Sequence, residues 1–332
     1  MNLKPYNTFG IDAQCDHLTV LEQPDQITEI TRFLNANPMP VLILGNGSNI
    51  LFVNDFNGLI VLNRIKGIQI VSETEDDVTI EAGAGENWSD FVSYCVDHGW
   101  GGVENLADIP GTVGASAVQN IGAYDMEAGN AIVNVTAYSL QTGEKRIFSK
   151  QECRFGYRSS IFKNVDYKHF IITHVTYKLN KKPFPLTSYK AIQTVLSEKD
   201  IKSPTIRDIY YIVTELRKSK LPDHTILHNA GSFFKNPIVY TEQAQVILQN
   251  YPEMPIYPLP DNSIKLAAGW LIEQCGLKGY RNGDAGIHDK QALVLVNYGT
   301  ATGAQILDIA QLAARLVQEK FEVLLEMEVG VV

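Results

Sequence analysis

Apolar residues recur at helical and strand periods along the first hundred positions of the chain. Between Pro24 and Asn37 they fall at helical spacing, and a second helical pattern runs from about Asn87 to His98. The apolar face of this second helix includes Cys95, so we expect that thiol in a core. Continuous or alternating apolar runs predict strands at 41–45, 58–63 and 78–84. This order of elements predicts an α+β protein.

The segment from 100 to 123 breaks this pattern. It reads WGGVENLADIPGTVGASAVQNIGA, is rich in glycine, alanine and small polar residues, and shows no clear period. A loop of this length inside a compact domain is usually functional or disordered, and its regularly placed apolar residues argue against disorder. We therefore expect a functional loop.

After residue 123 the pattern divides into two parts. Strands are predicted at 131–140 and 170–179, and the run KKPFPLT at 181–187 is typical of a connection where a domain ends. The remaining predicted elements are helices near 205–221, 241–250, 269–276 and 303–320, and strands at 263–268, 293–297 and 323–329. A domain boundary is therefore expected somewhere near 185–205, followed by a separate α+β unit.

Composition and charge exclude several classes of function. The 332 residues carry a formal net charge of -9, and no basic run is longer than Lys181-Lys182, which argues against nucleic acid binding. The four cysteines are scattered and no histidine stands at metal-ligand spacing, so neither a disulfide framework nor a metal site is expected. No apolar run has membrane-spanning length and the N-terminus lacks a signal-peptide pattern, so we expect a cytoplasmic protein without a membrane segment.

Two glycine-rich segments are candidates for a ligand site. G-N-G-S-N follows the strand at 41–45, but Ile50 stands where a Rossmann motif needs a small residue and no helix follows, so the Rossmann interpretation fails. A tight glycine turn still lets backbone N–H groups approach a phosphate. The segment IPGTVGASAVQNIGA at 109–123 offers the same chemistry. Each segment alone fits a plain connecting loop, whereas the two together favour one long ligand such as a dinucleotide.

Ten motifs in order resemble the UDP-N-acetylenolpyruvoylglucosamine reductases, flavoenzymes of bacterial peptidoglycan precursor synthesis. They run nearly end to end: NTFGID, VLILGNGSNILF, NRIKGI, AGAGENW, ENLADIPGTVGASAVQNIGAY, ECRFGYRSSIF, KLPD, NAGSFFKNP, IKLAAGWLIEQCGLKG and QALVLVN. The resemblance implies a vanillyl-alcohol-oxidase-type (PCMH-type) fold, with FAD-binding subdomains at 1–65 and 66–200 and an α+β substrate-binding domain at 205–332. It also implies bound FAD, NADPH as hydride donor, a UDP-sugar substrate and a monomer.

The same resemblance assigns roles to individual residues. Ser232 matches the general acid that protonates the substrate carbon, and Arg158 and Glu328 match residues around the substrate carboxylate, where a protonated Glu328 would bond to an enolate oxygen. The positions matching the flavin motifs are Gly45, Asn46, Gly47, Ser48, Asn49, Pro110, Gly111, Thr112, Val113, Gly114, Ala115, Ile121 and Gly122. Those matching UDP-sugar contacts, mainly at the diphosphate, are Tyr189, Lys220, Asn236, Tyr257 and Lys278, with Gln119 and Gln291 at matching polar positions.

The sequence departs from the family at two internal positions. Ala117 stands where a proline is usual, and Gly330 stands where an arginine is common, two residues after Glu328. Alternatives also remain for single features: Ser232 fits the start of an edge strand, and the proline-rich loop around Tyr257 fits either a flap over the substrate or a rigid connection. The competing functions are another flavin oxidoreductase of the same fold and a non-catalytic UDP-sugar-binding protein.

Overall fold

The computed structural model describes residues 1–332, which form ten α-helices and nineteen strands. The helices α1 to α10 are Ile27–Ala36, Trp88–Asp97, Val113–Gln119, Ala128–Ala131, Lys150–Cys153, Lys190–Glu198, Ile206–Lys220, Thr241–Asn250, Ala268–Gln274 and Gly303–Phe321. The strands β1 to β19 are Cys15–Leu21, Val41–Leu44, Ile50–Leu51, Phe56–Asn63, Ile68–Glu73, Asp77–Gly83, Gly122–Ala123, Met126–Glu127, Ile132–Ser139, Lys145–Ser149, Phe170–Asn180, His228–Ser232, Ile238–Tyr240, Ile256–Pro258, Ser263–Leu266, Arg281–Asn282, Ala285–Ile287, Val294–Asn297 and Gly330–Val331.

The chain divides into two compact units, each discontinuous in sequence. The first unit comprises Met1, Cys15–Asn46 and Asn57–Ser219, and the second comprises Asn2–Gln14, Gly47–Phe56 and Lys220–Val332. The division into three domains expected from the sequence stays a prediction. None of the helices combines the length and the apolar character that a membrane span requires.

The first unit contains a five-stranded sheet that carries a large aromatic and aliphatic core, a three-stranded sheet, and the two-stranded hairpin β7–β8. Its antiparallel five-stranded sheet has the order β10-β9-β11-β6-β5, and its smaller sheet has the order β1-β4-β2 with β2 and β4 parallel. The apolar face of α2 packs against β11, where the rings of Trp88, Phe91 and Tyr177 lie with centroids 4.7 to 6.1 Å apart. Cys95 is fully buried in this core, as predicted.

The second unit contains a four-stranded sheet of order β12-β18-β17-β16 and a three-stranded sheet of order β13-β15-β14. A parallel pair, β3 and β19, joins the segment after residue 47 to the last residues of the chain. The long helix α10 begins at Gly303 against Phe52, where a Cβ would lie 1.8 Å from the Phe52 carbonyl oxygen. Only glycine therefore allows the helix to start so close to this backbone.

Two local predictions were wrong. The segment 100–123, expected to be a loop, contains the helix α3. This helix shows no apolar period because it is built from small residues. Its N-terminus is capped by Thr112, whose Oγ1 accepts a hydrogen bond from the Ala115 N–H. The segment 323–329 does not form a regular strand, and its only bridge is between Phe234 and Met327. The residues opposite it, 233–235, lie beyond the end of β12, so no ladder continues there.

Candidate active site

The two glycine-rich segments lie against each other in the first unit. A Cβ on Gly45 would lie 2.6 Å from Thr112 Oγ1, so only glycine permits this approach. Asn46 Nδ2 donates to the Gly111 carbonyl at 3.0 Å. The structure thus brings together Gly45, Asn46, Gly111 and Thr112, four of the residues predicted to share one ligand. Their role in binding flavin stays a prediction.

The arrangement of small residues here fits a flavin dinucleotide. A Cβ on Gly114 would lie 2.8 Å from the Ala84 Cβ, so α3 also approaches its neighbour closely. The N–H groups of Val113, Gly114 and Ala115 already donate to Glu86 O, Ala84 O and Thr112 Oγ1. These three residues therefore shape the site through bonds within the protein.

The rest of the first glycine segment belongs to the second unit. Gly47 has φ +62°, and a Cβ there would lie 2.0 Å from the Tyr6 carbonyl oxygen. The Thr8 N–H donates to Gly47 O at 3.1 Å. Ser48 and Asn49 follow, both half-buried, and Asn49 Nδ2 donates to the Glu328 carbonyl at 3.1 Å. The predicted flavin segment therefore contains the point where the chain passes from one unit to the other.

Arg158 is fixed against the second glycine segment. Its Nη2 donates to the Gly122 carbonyl at 2.7 Å, and a Cβ on Gly122 would lie 2.9 Å from Arg158 Nη1. Lys163 Nζ donates to Gln119 Oε1 at 2.9 Å and to the Arg158 carbonyl at 3.2 Å. The structure thus brings together three predicted site residues, Gln119, Gly122 and Arg158. It adds Lys163, which sequence reasoning missed because a single lysine carries no pattern.

Tyr189 packs on a strained hairpin turn. Tyr124 and Asp125 are the two central residues of the β7–β8 hairpin, with φ +48° and +65°, as a type I′ turn requires. The Tyr124 and Tyr189 rings meet edge to face with centroids 5.0 Å apart, and Ser188 Oγ donates to Asp125 Oδ2 at 2.8 Å. The turn therefore orients Tyr189. Tyr124 is a site candidate that the sequence analysis missed.

A half-buried arginine lies beside this turn. Arg217 on α7 donates from Nε to the Asp108 carbonyl at 3.0 Å. Burial lowers the pKa of Arg217 and raises the pKa of Tyr124, while the attraction between the two groups opposes both shifts. Lys220, a predicted diphosphate ligand, is the last residue of the same helix and is exposed. Sequence reasoning missed Arg217, although it stands three residues before Lys220.

Ser232 is aimed by a β-bulge. The register of β12 against β18 shifts between Asn229 and Ser232, and Gly231 within the bulge has φ +70°. The Asn229 side chain closes the bulge by accepting from the Gly231 N–H at 2.8 Å. A bulge bends the strand and redirects the next side chain, and bulges are frequent beside active sites. The serine is thus a half-buried residue directed by special backbone geometry, whereas an ordinary edge strand would not need this geometry.

Glu328 is joined to the serine segment through the backbone. The Glu328 N–H donates to the carbonyl of Phe233, the residue after Ser232, at 2.8 Å. Two residues earlier, Glu326 forms an ion pair with Lys235 that also includes a backbone bond from the Lys235 N–H to Glu326 O at 2.9 Å. The two glutamates therefore have different surroundings: the Glu326 carboxylate is largely exposed and paired with Lys235, whereas Glu328 is the predicted catalytic residue.

Four further predicted contacts lie in the second unit, and two of them form polar bonds to neighbouring backbone. Asn236 Oδ1 accepts from the Ala268 N–H at 3.0 Å. Gln291 Oε1 accepts from the Leu293 N–H at 3.4 Å. These amides are therefore held by the ends of α9 and β18, and their predicted contact with substrate stays a prediction.

The other two predicted contact residues, Lys278 and Tyr257, lie nearer the surface. Lys278 Nζ pairs with Glu273 Oε1 at 2.9 Å, with about a third of the lysine side chain exposed. Tyr257 on β14 is 37% exposed, and Lys265 Nζ lies 5.7 Å from its ring centroid. An anionic ligand would compete with Glu273 for Lys278, because an exposed ion pair is weak.

Comparison with known proteins decides the family. The FAD binding domain family matches residues 16–147, and the family described as UDP-N-acetylenolpyruvoylglucosamine reductase, C-terminal domain, matches residues 222–332. A UDP-N-acetylenolpyruvoylglucosamine reductase from Chromobacterium violaceum is 47% identical over 99% of this chain and 96% of its own length. This chain belongs to the UDP-N-acetylenolpyruvoylglucosamine reductase family.

Other members support the same assignment. The reductase of Escherichia coli is 44% identical over 99% of this chain and 94% of its own length. The crystal structure of the reductase from Thermus caldophilus matches with a TM-score of 0.67 and 27% identity, covering 100% of this chain and 97% of that chain. The predicted family and the predicted α+β organisation, an FAD-binding part followed by a C-terminal domain, are confirmed.

The bulge in this reductase leads to a test of how Ser232 is aimed. We expect Gly231→Ala to lower the free energy of unfolding by about 1 kcal/mol, because φ +70° is strained for alanine although the space for a Cβ is open. Since relief of that strain redirects Ser232, activity should also fall. Urea unfolding and steady-state assays measure both effects.

Gly283→Ala is the matched control, because Gly283 has φ +62°, equally open space and a place in the turn between β16 and β17. It should lose similar stability and retain activity. Equal activity of both variants would contradict the role of the bulge.

Proposed function

We propose that this protein reduces the enolpyruvyl group of UDP-N-acetylglucosamine enolpyruvate, giving UDP-N-acetylmuramate for peptidoglycan precursor synthesis, with bound FAD and with NADPH as hydride donor. Membership of the reductase family over almost the whole chain and the match to an FAD binding domain support this proposal. The observation that carries it is the β-bulge that directs Ser232. The carbonyl of the next residue, Phe233, accepts a hydrogen bond from the Glu328 N–H.

The reaction adds two electrons and two hydrogens to a carbon-carbon double bond. FAD, held by the residues of the two glycine-rich segments, would supply the hydride that adds to the terminal vinyl carbon. Negative charge then develops on the neighbouring carbon and in the adjoining carboxylate, so the protein must supply hydrogen-bond donors for this charge and one proton to carbon. Any residue that performs these tasks needs a fixed position, because misplacement by about 1 Å can cost a hundredfold in rate.

Ser232 is our candidate for the proton donor. Its hydroxyl is half-buried and its direction is set by the bulge, as general acid catalysis requires. Serine is a weak acid in water, so we propose that cationic groups at the site lower the cost of the transient alkoxide. Glu328, in its protonated form, would donate to the enolate oxygen.

We propose that seven polar residues hold the UDP-sugar. They are Gln119, Tyr189, Lys220, Asn236, Tyr257, Lys278 and Gln291. Lysines suit a diphosphate because each carries a compact positive charge on a flexible side chain. The side-chain oxygens of Asn236 and Gln291 accept backbone hydrogen bonds, so their NH₂ groups are the ones that face away from these bonds.

We further propose that the enzyme works as a monomer in the cytoplasm. The four cysteines are unpaired, and three of them are buried, which suits a reducing compartment.

An absorption spectrum taken without oxygen tests the function. The purified protein should be yellow, NADPH should bleach it, and UDP-N-acetylglucosamine enolpyruvate should restore the colour because it accepts the hydride. A colourless protein would support a binding protein without turnover. Restoration of colour by oxygen but not by the sugar would support an oxidase of the same fold.

Ser232→Ala should separate the two half-reactions. We expect NADPH to bleach the flavin at nearly the parent rate, whereas reoxidation by the enolpyruvyl sugar should slow at least about a hundredfold, the low end for a lost general acid. Stopped-flow absorbance measures both rates. Ser197→Ala, at an exposed serine on α6, is the control and should change neither. Equal slowing of the two half-reactions by Ser232→Ala would refute the assignment.

Glu328→Gln tests whether this residue acts in its protonated form. An amide retains a hydrogen-bond donor, so most of the reoxidation rate should survive. Glu328→Ala is the comparison and should be much slower. Loss of activity in both variants would show that the carboxylate itself is needed.

A further inference from the structure

The last residues of the chain are bonded to the glycine segment after residue 47. Gly330 and Val331 pair in parallel with Ile50 and Leu51. The Val332 N–H donates to Leu51 O at 2.9 Å, and Val332 O accepts from the Val53 N–H at 2.6 Å. Both strands belong to the second unit. The position of the residues just before β19, including Glu328, therefore depends on this segment.

Asn49 makes the contact that reaches Glu328 directly. Its Nδ2 donates to the Glu328 carbonyl at 3.1 Å, and its own carbonyl accepts from the Gly330 N–H at 3.1 Å. On the other side, the Glu328 N–H donates to Phe233 O at 2.8 Å. The backbone N–H and C=O of Glu328 are thus both bonded, one to the serine segment and one to Asn49. Two such bonds fix the direction in which the Cα–Cβ bond leaves the backbone.

The residue two positions after Glu328 offers no alternative support. Gly330 has no side chain, and a Cβ there would meet only the Asn49 carbonyl oxygen, at 3.6 Å. The support for the Glu328 peptide on this side thus comes from a segment 279 residues earlier in the chain. Because the donor is a side-chain amide, one substitution removes it without altering the parallel strand pair.

We propose that Asn49 is a positioning residue for Glu328, a role that rests on the proposed function of Glu328 in the reaction. Asn49 holds the Glu328 carbonyl so that the carboxyl group meets the developing enolate. Its effect therefore belongs to the step in which the sugar is reduced. A residue that served only the flavin would affect both half-reactions.

The test uses the flavin-loaded protein and the variants Asn49→Ala and Asn49→Asp. In Asn49→Ala, reoxidation by the enolpyruvyl sugar should slow roughly tenfold more than bleaching by NADPH slows, because only the sugar step needs Glu328, and a factor of ten is the equivalent of one lost hydrogen bond. Asn49→Asp keeps the shape but places an acceptor against a carbonyl, so it should be at least as slow. Amide hydrogen exchange of residues 328–332 should be faster in both variants.

Asn54→Ala is the matched control. Asn54 follows the same segment and its side chain is exposed, while its backbone N–H faces Val332 O at 3.5 Å and is unchanged by the substitution. It should leave both half-reactions and the exchange of 328–332 as in the parent. In a Glu328→Ala background, Asn49→Ala should cause no further slowing, because its effect acts through Glu328.

Three outcomes would overturn the proposal. Loss of FAD or equal slowing of both half-reactions in Asn49→Ala would make Asn49 a flavin residue only. Unchanged exchange at 328–332 would remove the physical link. Full additivity with Glu328→Ala would show that Asn49 acts elsewhere. Failure of the parent protein to be reoxidised by the sugar would instead refute the proposed function, and the exchange measurement would still decide whether Asn49 holds the C-terminal segment.

Discussion

The peptide group of Phe233 is the constraint on which the candidate site of the second unit depends. Its N–H donates to Leu293 O and its carbonyl accepts from the Glu328 N–H, each at 2.8 Å. The ring is fully buried and makes edge contacts with Phe9 and Phe234. Displacing this residue would break the bonds to Leu293 and Glu328 and would expose an aromatic ring. Ser232 and Glu328 therefore share one rigid support.

In the first unit the corresponding constraint is the close approach of two backbones. Gly45 and Thr112 touch because residue 45 has no side chain, and Gly122 leaves room for the Arg158 guanidinium. An acidic protein can bind an anionic cofactor in this way, since peptide dipoles supply the positive potential locally and few lysines are needed. The charge of the whole chain therefore says little about this ligand.

Backbone strain is concentrated in the same region. Five of the nine non-glycine residues with positive φ lie between 120 and 158, and they include Tyr124, Asp125 and Arg158. Each costs about 1 to 2 kcal/mol in a free chain, so the fold must hold them by other contacts. The bonds from Arg158 to Gly122 and from Asn120 to Glu127 and Gly156 are such contacts. Strain held in this way is typical of sites where side-chain direction matters more than local stability.

The sequence by itself determined the periodic elements, the family and the identity of the candidate catalytic residues. Helices such as α2, α7 and α10 were predicted closely because apolar spacing is a local property that needs only neighbouring residues. The sequence does not predict the helix α3, because small residues pack well without leaving an apolar period, and it wrongly predicts a strand in the irregular segment before β19.

Only the tertiary structure decided that residues 47–56 belong with the C-terminal part of the chain, and that Lys163 and Tyr124 contact predicted site residues. It also decided that Asn49 bonds to Glu328. These are contacts between segments distant in sequence, and they depend on the path of the whole chain, which local spacing does not encode.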